Sequence, residues 1–146
     1  MRYLALDIGE KRVGLAVSDA SGRMASPLRV LSHAEVFSLA PPFRQLLEDY
    51  QPEMLVVGLP LSMDGRENSQ AALVREQAEK IATAAGLPLR FVDERLSSAE
   101  ARRVLRAGGL DARGMRGKTD KIAASLFLQA YLDGGCAVDR KTDEPI

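Results

Sequence analysis

Two alternating runs joined by a short polar turn constrain this chain more than any other feature. In the stretch LALDIGEKRVGLAVSD, residues 4–19, Leu4, Leu6 and Ile8 alternate with Ala5 and Asp7, and Val13, Leu15 and Val17 alternate with Gly14, Ala16 and Ser18. A period of two is the signature of a strand, and Gly9-Glu10-Lys11-Arg12 between the runs is a turn with a glycine. The segment therefore predicts a β-hairpin. Neither face of its first strand is wholly polar, so both faces are expected to be covered. A carboxylate there, Asp7, is costly unless it is paired, hydrogen-bonded or bound to a cation. One reading has Asp7 accepting backbone N–H bonds and organising the turn; the other has it holding a cation. The hairpin alone leaves both open.

The rest of the chain supplies the frame. Pro27–Leu31 is a third β-like segment, expected to pair with the strand before it. A helix is predicted from about Pro41 to Tyr50, and Met54–Gly58 is a continuous apolar run with the character of a buried strand. A turn-rich loop over residues 59–65 leads to a helix from about Glu67 to Ala85, stopped by Gly86 and Pro88. Leu89–Asp93 reads as a strand. Ser97-Ser98-Ala99-Glu100 has the form of a capping box opening a short basic helix, which Gly108-Gly109 ends. A glycine- and arginine-rich stretch runs on to Gly117, and Thr119–Asp133 is the last helix. The order predicts an α/β fold: a mixed central sheet, made of a three-stranded antiparallel meander plus parallel strands, with helices on both faces. At 146 residues one domain is expected, over 1–138, with a polar tail over 139–146 that frays.

Composition removes whole classes of chemistry. Cys136 is the one cysteine and His33 the one histidine, so an intrachain disulfide, a cysteine-based metal site and histidine-dependent triads are excluded or improbable. His33 is expected in a surface loop. There is no apolar run long enough to span a bilayer and no secretory signal, so a cytoplasmic protein without membrane association is expected. Net charge is zero, but its distribution is uneven. Arg95, Arg102, Arg103, Arg106, Arg113, Arg116, Lys118 and Lys121 face only Glu100, Asp111 and Asp120 between residues 95 and 121, whereas residues 35–79 are predominantly acidic. One basic side would suit phosphates.

Two further acids share the oddity of Asp7. Glu94 follows Asp93 where a predicted strand ends; if that strand runs parallel to the first, both ends lie on one sheet edge, where open α/β folds place their sites. Asp93 is better explained as a cap of the following turn. Asp120 opens the last helix and, at 100° per residue, shares a face with Ala124, Phe127 and Tyr131, almost opposite a polar arc of Lys121, Ser125, Gln129 and Asp133. It could act as an N-cap or complement the helix dipole, but its place on the apolar side asks for more. Three acids from separate elements, without histidine or cysteine, match hard cations such as Mg2+ or Mn2+. Two such ions can activate a water and stabilise the leaving oxygen of a phosphodiester. Lys11, Arg12, Arg95, Lys118 and Lys121 are candidates to hold the phosphate backbone, and Arg113 and Arg116 to grip the substrate further out.

Four stretches, LALDIGEKRVGLAVSD, VVGLPLSMDGRENSQA, FVDERLSSAEA and KTDKIAASLFLQAYLD, cover most of the chain. In their order and spacing the sequence resembles the YqgF (also called RuvX) family of ribonuclease H-like nucleases. The resemblance implies a ribonuclease H-like fold related to the junction resolvase RuvC. It also implies a divalent-metal site mapping onto Asp7, Glu94 and Asp120, with Asn68-Ser69-Gln70 lining the cleft. It implies a nucleic-acid partner of one of two kinds. The first expectation is 5′-end processing of pre-16S rRNA; the second is resolution of four-way (Holliday) DNA junctions, whose two-fold symmetry would favour a homodimer. Two other readings compete. Actin-like ATPases and sugar kinases also begin with Asp-Ile-Gly on a hairpin, but need two such domains. A non-catalytic RNA- or ribosome-binding module would gain nothing from three acids facing phosphate.

Overall fold

Side chains of opposite parity on the central strand build two separate cores. The computed structural model describes residues 1–62, 64–94 and 118–134, residues 118–120 as backbone. Strands β1 (Tyr3–Ile8), β2 (Arg12–Ser18) and β3 (Ala25–Ser32) form an antiparallel meander, and β4 (Met54–Leu59) and β5 (Leu89–Asp93) add to it in parallel. The strand order is β3-β2-β1-β4-β5. Leu4, Leu6 and Ile8 point into the larger core with Leu55, Val57 and Phe91, which α2 (Pro41–Tyr50) and α3 (Ser69–Ala85) cover through Phe43, Val74, Ala78 and Ile81. Ala5 points the other way, with Ala16, Val56 and Val92, onto Ala124, Phe127 and Leu128 of the C-terminal helix Lys118–Leu132.

The second core is built from small residues, and that sets how close its helix comes. A Cβ placed on Gly58 would lie 2.7 Å from the ring of Phe127, which is 1% exposed. At its far end Tyr131 meets Tyr3 edge-on, ring centroids 5.6 Å apart, and its hydroxyl lies 3.9 Å from the sulfur of Met54. The helix thus runs antiparallel to β1 and β4, its first turn toward their carboxyl ends.

Several local expectations are refined. The strand expected over Pro27–Leu31 is longer, Ala25–Ser32. Residues 33–37 form a short helix, α1 (His33–Phe37), which the periodicity of the sequence does not reveal; Ser32 and Glu35 close a capping box on it. His33 accordingly opens a helix, half-buried, its ring stacked on Phe37 at 4.1 Å. The C-terminal helix, α4 in chain order, also leans on β2 and β3. Ser125 on the expected polar arc is therefore buried, its hydroxyl donating to the Ile122 carbonyl at 2.7 Å. Gln129 receives the Ala25 N–H at 2.8 Å and donates to the Arg23 carbonyl at 2.9 Å. The basic helix expected from Ser97 and the arginine-rich stretch to Gly117 lie outside the described residues, as does the tail 139–146.

Candidate active site at the carboxyl edge of the sheet

Parallel pairing of β1, β4 and β5 brings three chain ends to one edge. Asp7 pairs with Gly14 of β2, and the register Leu6↔Val57 puts Gly58 beside it at the next step on β4. The only aspartate of the strand is thus bordered by glycine on both sides. It lies on the face of Ala5, the face that α4 covers, and is half-buried rather than sealed. On one side the place a Cβ would take at Gly58 is filled by the Phe127 ring, so the helix packs directly beside the carboxylate's strand. Neither glycine stands out in the sequence, because its place beside Asp7 exists only once the register is fixed.

At the far side Asp93 ends β5 opposite Leu59. Glu94 follows it, half-buried, its N–H donating to the Leu59 carbonyl at 3.1 Å. That bond extends the parallel ladder by one residue and fixes where Glu94 leaves the sheet. Asp7, Asp93 and Glu94 each take part in interactions of their own, so each is held in place. Asp120 lies in the first turn of α4, on the row of Ala124, Phe127 and Tyr131. Seven residues before Phe127 at ~1.5 Å per residue, that turn lies about 10 Å beyond the Phe127 level, at the same edge.

Of the cations expected to hold phosphate, Lys11 and Arg12 are exposed where β1 turns into β2, next to this edge. The turn is closed by the Gly9 N–H donating to the Arg12 carbonyl at 2.8 Å. Gly9 is obligatory there, since a Cβ would meet that same carbonyl oxygen at 2.9 Å. Lys121 is half-buried on α4, and Lys118 opens the helix. Arg95, Arg113 and Arg116 lie outside the described residues. Asn68 caps α3, accepting the Ala71 N–H at 2.9 Å, and Ser69 and Gln70 line an open cleft of about 620 Å³ on the α3 side of the edge.

A support not foreseen from sequence stands behind β5. Arg75 is buried, donates through Nε to the Glu67 carboxylate at 3.2 Å, and lays its guanidinium 4.6 Å from the Phe91 ring centroid. Glu67 belongs to the loop leading into α3, so one side chain ties that loop, α3 and β5 together two residues before Asp93. An arginine in a helix reads as surface; only packing reveals this one.

Among the described residues no group of three or more His, Cys, Asp or Glu side chains converges as a complete metal centre. The acids that end strands at this edge, Asp7, Asp93 and the following Glu94, offer only carboxylate oxygens, the chemistry that hard divalent cations accept.

Comparison with known proteins decides the kinship. The family described as "RuvX: Holliday junction resolvase" matches residues 1–134. The chain belongs to the RuvX family. Curated relatives of this RuvX chain include proteins from Anaeromyxobacter sp. (strain Fw109-5), 45% identical with 92% of this chain and 98% of that one covered, and from Dictyoglomus thermophilum, 41% identical with 91% and 96% covered. Both carry the name "Putative pre-16S rRNA nuclease". Among solved structures, the RuvX fold is similar to T. thermophilus RuvC in complex with a Holliday junction substrate, at TM-score 0.53 and 20% identity, covering 92% of this chain and 95% of that one. It is also similar to the Fowlpox virus resolvase bound to Holliday junction DNA, at TM-score 0.52 and 10% identity, covering 92% and 98%. At these identities the likeness speaks for a shared ribonuclease H-like fold.

Proposed function

We propose that the chain is a divalent-metal-dependent nuclease that hydrolyses phosphodiester bonds of structured nucleic acid, with 5′-end processing of pre-16S rRNA as its role. What supports this is that Asp7 and Glu94 stand at the carboxyl ends of the parallel strands β1 and β5, on the edge toward which α4 begins, in a chain whose curated relatives are named as pre-16S rRNA nucleases. Asp7, Glu94 and Asp120 would hold two Mg2+ or Mn2+ ions, which when bound supply Lewis-acid activation of water and neutralise charge at the phosphate. The protein's own part is positional. The end of β1 would present the first carboxylate, the bond from Glu94 to Leu59 fixes where the second leaves the sheet, and Phe127 over Gly58 sets the approach of the third. Lys11, Arg12, Arg95, Lys118 and Lys121 would draw in the flanking phosphates.

Resolution of Holliday junctions is the second reading, favoured by the family's description and by the fold shared with two junction-bound resolvases. Paired cleavage of a labelled precursor-rRNA leader and a labelled four-way junction, in Mg2+, Mn2+ or EDTA, separates the two. Metal-dependent cutting of the leader alone supports processing, and symmetric nicking of the junction by a homodimer supports resolution. Binding to both without cutting of either would reject nuclease activity in favour of a binding module.

A further inference from the structure

On the face of the sheet opposite α4, the cleft of about 620 Å³ begins where the candidate metal edge ends. Ile8 and Gly9, the two residues after Asp7, form part of its wall. Its floor is apolar, from Ile8 and Val74, and its sides carry Glu10, His33, Gln70 and Gln77. His33 is held by the stacked Phe37 ring, and its Nε2 lies 3.4 Å from the Gln77 amide nitrogen. The His33 backbone N–H donates to the Lys11 carbonyl at 2.9 Å, which ties the start of α1 to the same hairpin turn that follows Asp7.

The chemistry of this lining is unlike that of a phosphate site. No lysine or arginine stands among the described residues that line the cleft, and Glu10 contributes negative charge. Two carboxamides, an imidazole and an apolar floor are suited instead to a flat neutral heterocycle. Amides pair with the donor and acceptor edges of bases, and aromatic or apolar side chains take their faces. Asp7 faces the α4 side and Ile8 the cleft side of the same strand end, so the two sites lie across one edge of the sheet, where a strand passing over that edge meets both.

We infer that the cleft receives one unpaired nucleobase of the substrate strand, adjacent to the scissile phosphate, and that Gln70 and Gln77 read its edge. The inference rests on the nuclease reading for the placement of the phosphate, but its chemistry is that of base recognition. A base still paired in a duplex presents its Watson–Crick edge to its partner and cannot offer it to the two amides. The enzyme would therefore act where a strand is locally open.

The chain lacks tryptophan, and Leu73, at the rim of the cleft, is 52% exposed. Leu73→Trp thus installs a single reporter in the otherwise unaltered protein. Its fluorescence is titrated in EDTA with a short single-stranded oligoribonucleotide, with an abasic oligomer of the same length and with a blunt duplex. The same titrations are repeated after Gln70→Leu with Gln77→Leu, whose fold is checked by thermal melting. A wild-type titration with an oligonucleotide carrying 2-aminopurine gives a second reading without any substitution. Saturable quenching by the single strand alone is expected, with affinity about tenfold weaker in the double variant. Equal quenching by the abasic oligomer, or no quenching at all, overturns the inference. Cleavage in Mg2+ or Mn2+ is measured alongside. Cutting without base-dependent quenching removes the base site and leaves the nuclease standing; base-dependent quenching without cutting does the reverse.

Discussion

At the scale of single residues, Asp7 is the most informative. Its two neighbours across the sheet are glycines, so neither flanking strand sets a side chain against its carboxylate. Asp7→Asn is expected to lower metal-dependent cleavage more than about a hundredfold, since even outer partners of metal ligands cost ~10–100-fold. Nucleic-acid binding should stay equal or tighten, because a charge facing phosphate has been removed; parent-like cleavage by the variant would dismiss the site. A second residue acts at a distance. Asp19 accepts the N–H of Arg23 at 2.8 Å, the Ser21 hydroxyl at 2.8 Å and the N–H of Met24 at 3.2 Å. These bonds, that from Arg23 foremost, lower its pKa from 3.8 to about 2. A lowered folded pKa gives stability that is fully present above the unfolded value and lost as pH falls through the folded one. Asp19→Asn should thus be less stable than the parent at neutral pH, with the gap closing between about pH 4 and pH 2, as melting across that range would read. The turn this carboxylate organises supplies the Arg23 carbonyl and the Ala25 N–H to Gln129, so its stability is passed on to α4.

At the scale of elements, the decisive contact is helix on strand. Gly58 and Phe127 bring α4 against β4 as closely as a missing Cβ permits. Gly58→Ala forces the ring or the whole helix outward, and overpacking of this kind costs about 1–3 kcal/mol in urea denaturation. A helix moved by ~1 Å carries Asp120 with it, and such a misplacement lowers a rate by about a hundredfold; kcat measured on the folded variant tests this. Unchanged kcat would detach α4 from the chemistry. The elements are unequally legible in the sequence. The hairpin and the buried strand Met54–Leu59 announce themselves by period and by continuous apolarity, and their ends can be read almost to the residue. Helix α1 cannot, because five residues carry no periodicity; its one signal is the pairing of Ser32 with Glu35, a capping box without a following apolar run. The helical wheel of α4 misjudges Ser125 because it assumes one covered face, whereas this helix is covered by the sheet and flanked by the turn before β3. Of the site, the acids stand out as charges in apolar runs. The glycines flanking Asp7 and the Arg75 clamp do not, since both depend on which strands become neighbours.

At the scale of the whole molecule, a chain without net charge can hold nucleic acid only through an uneven distribution. The cations between Arg95 and Lys121 are the candidates. Changing Arg113 and Arg116 together to Ala should weaken binding and flatten the log–log salt dependence by roughly 1.4–1.8, at ~0.7–0.9 for each phosphate left without its cation. An unaltered slope would assign both to a solvated surface. The uneven charge and the sheet edge also divide the labour: the basic stretch would govern how tightly substrate is held, and the carboxylates whether it is cut.

The order of elements along the chain has a consequence for the protein's own synthesis. Strands β1, β2, β4 and β5 are complete before α4 is made, so the hairpin, the parallel strands and the larger core can form first while the alanine-lined face waits bare. The third carboxylate of the proposed site arrives only with α4. On that proposal a nascent chain emerging from a ribosome would lack the competence to cut until α4 closes over that face. For an enzyme whose proposed substrate becomes part of the ribosome, chain order itself would then be a safeguard.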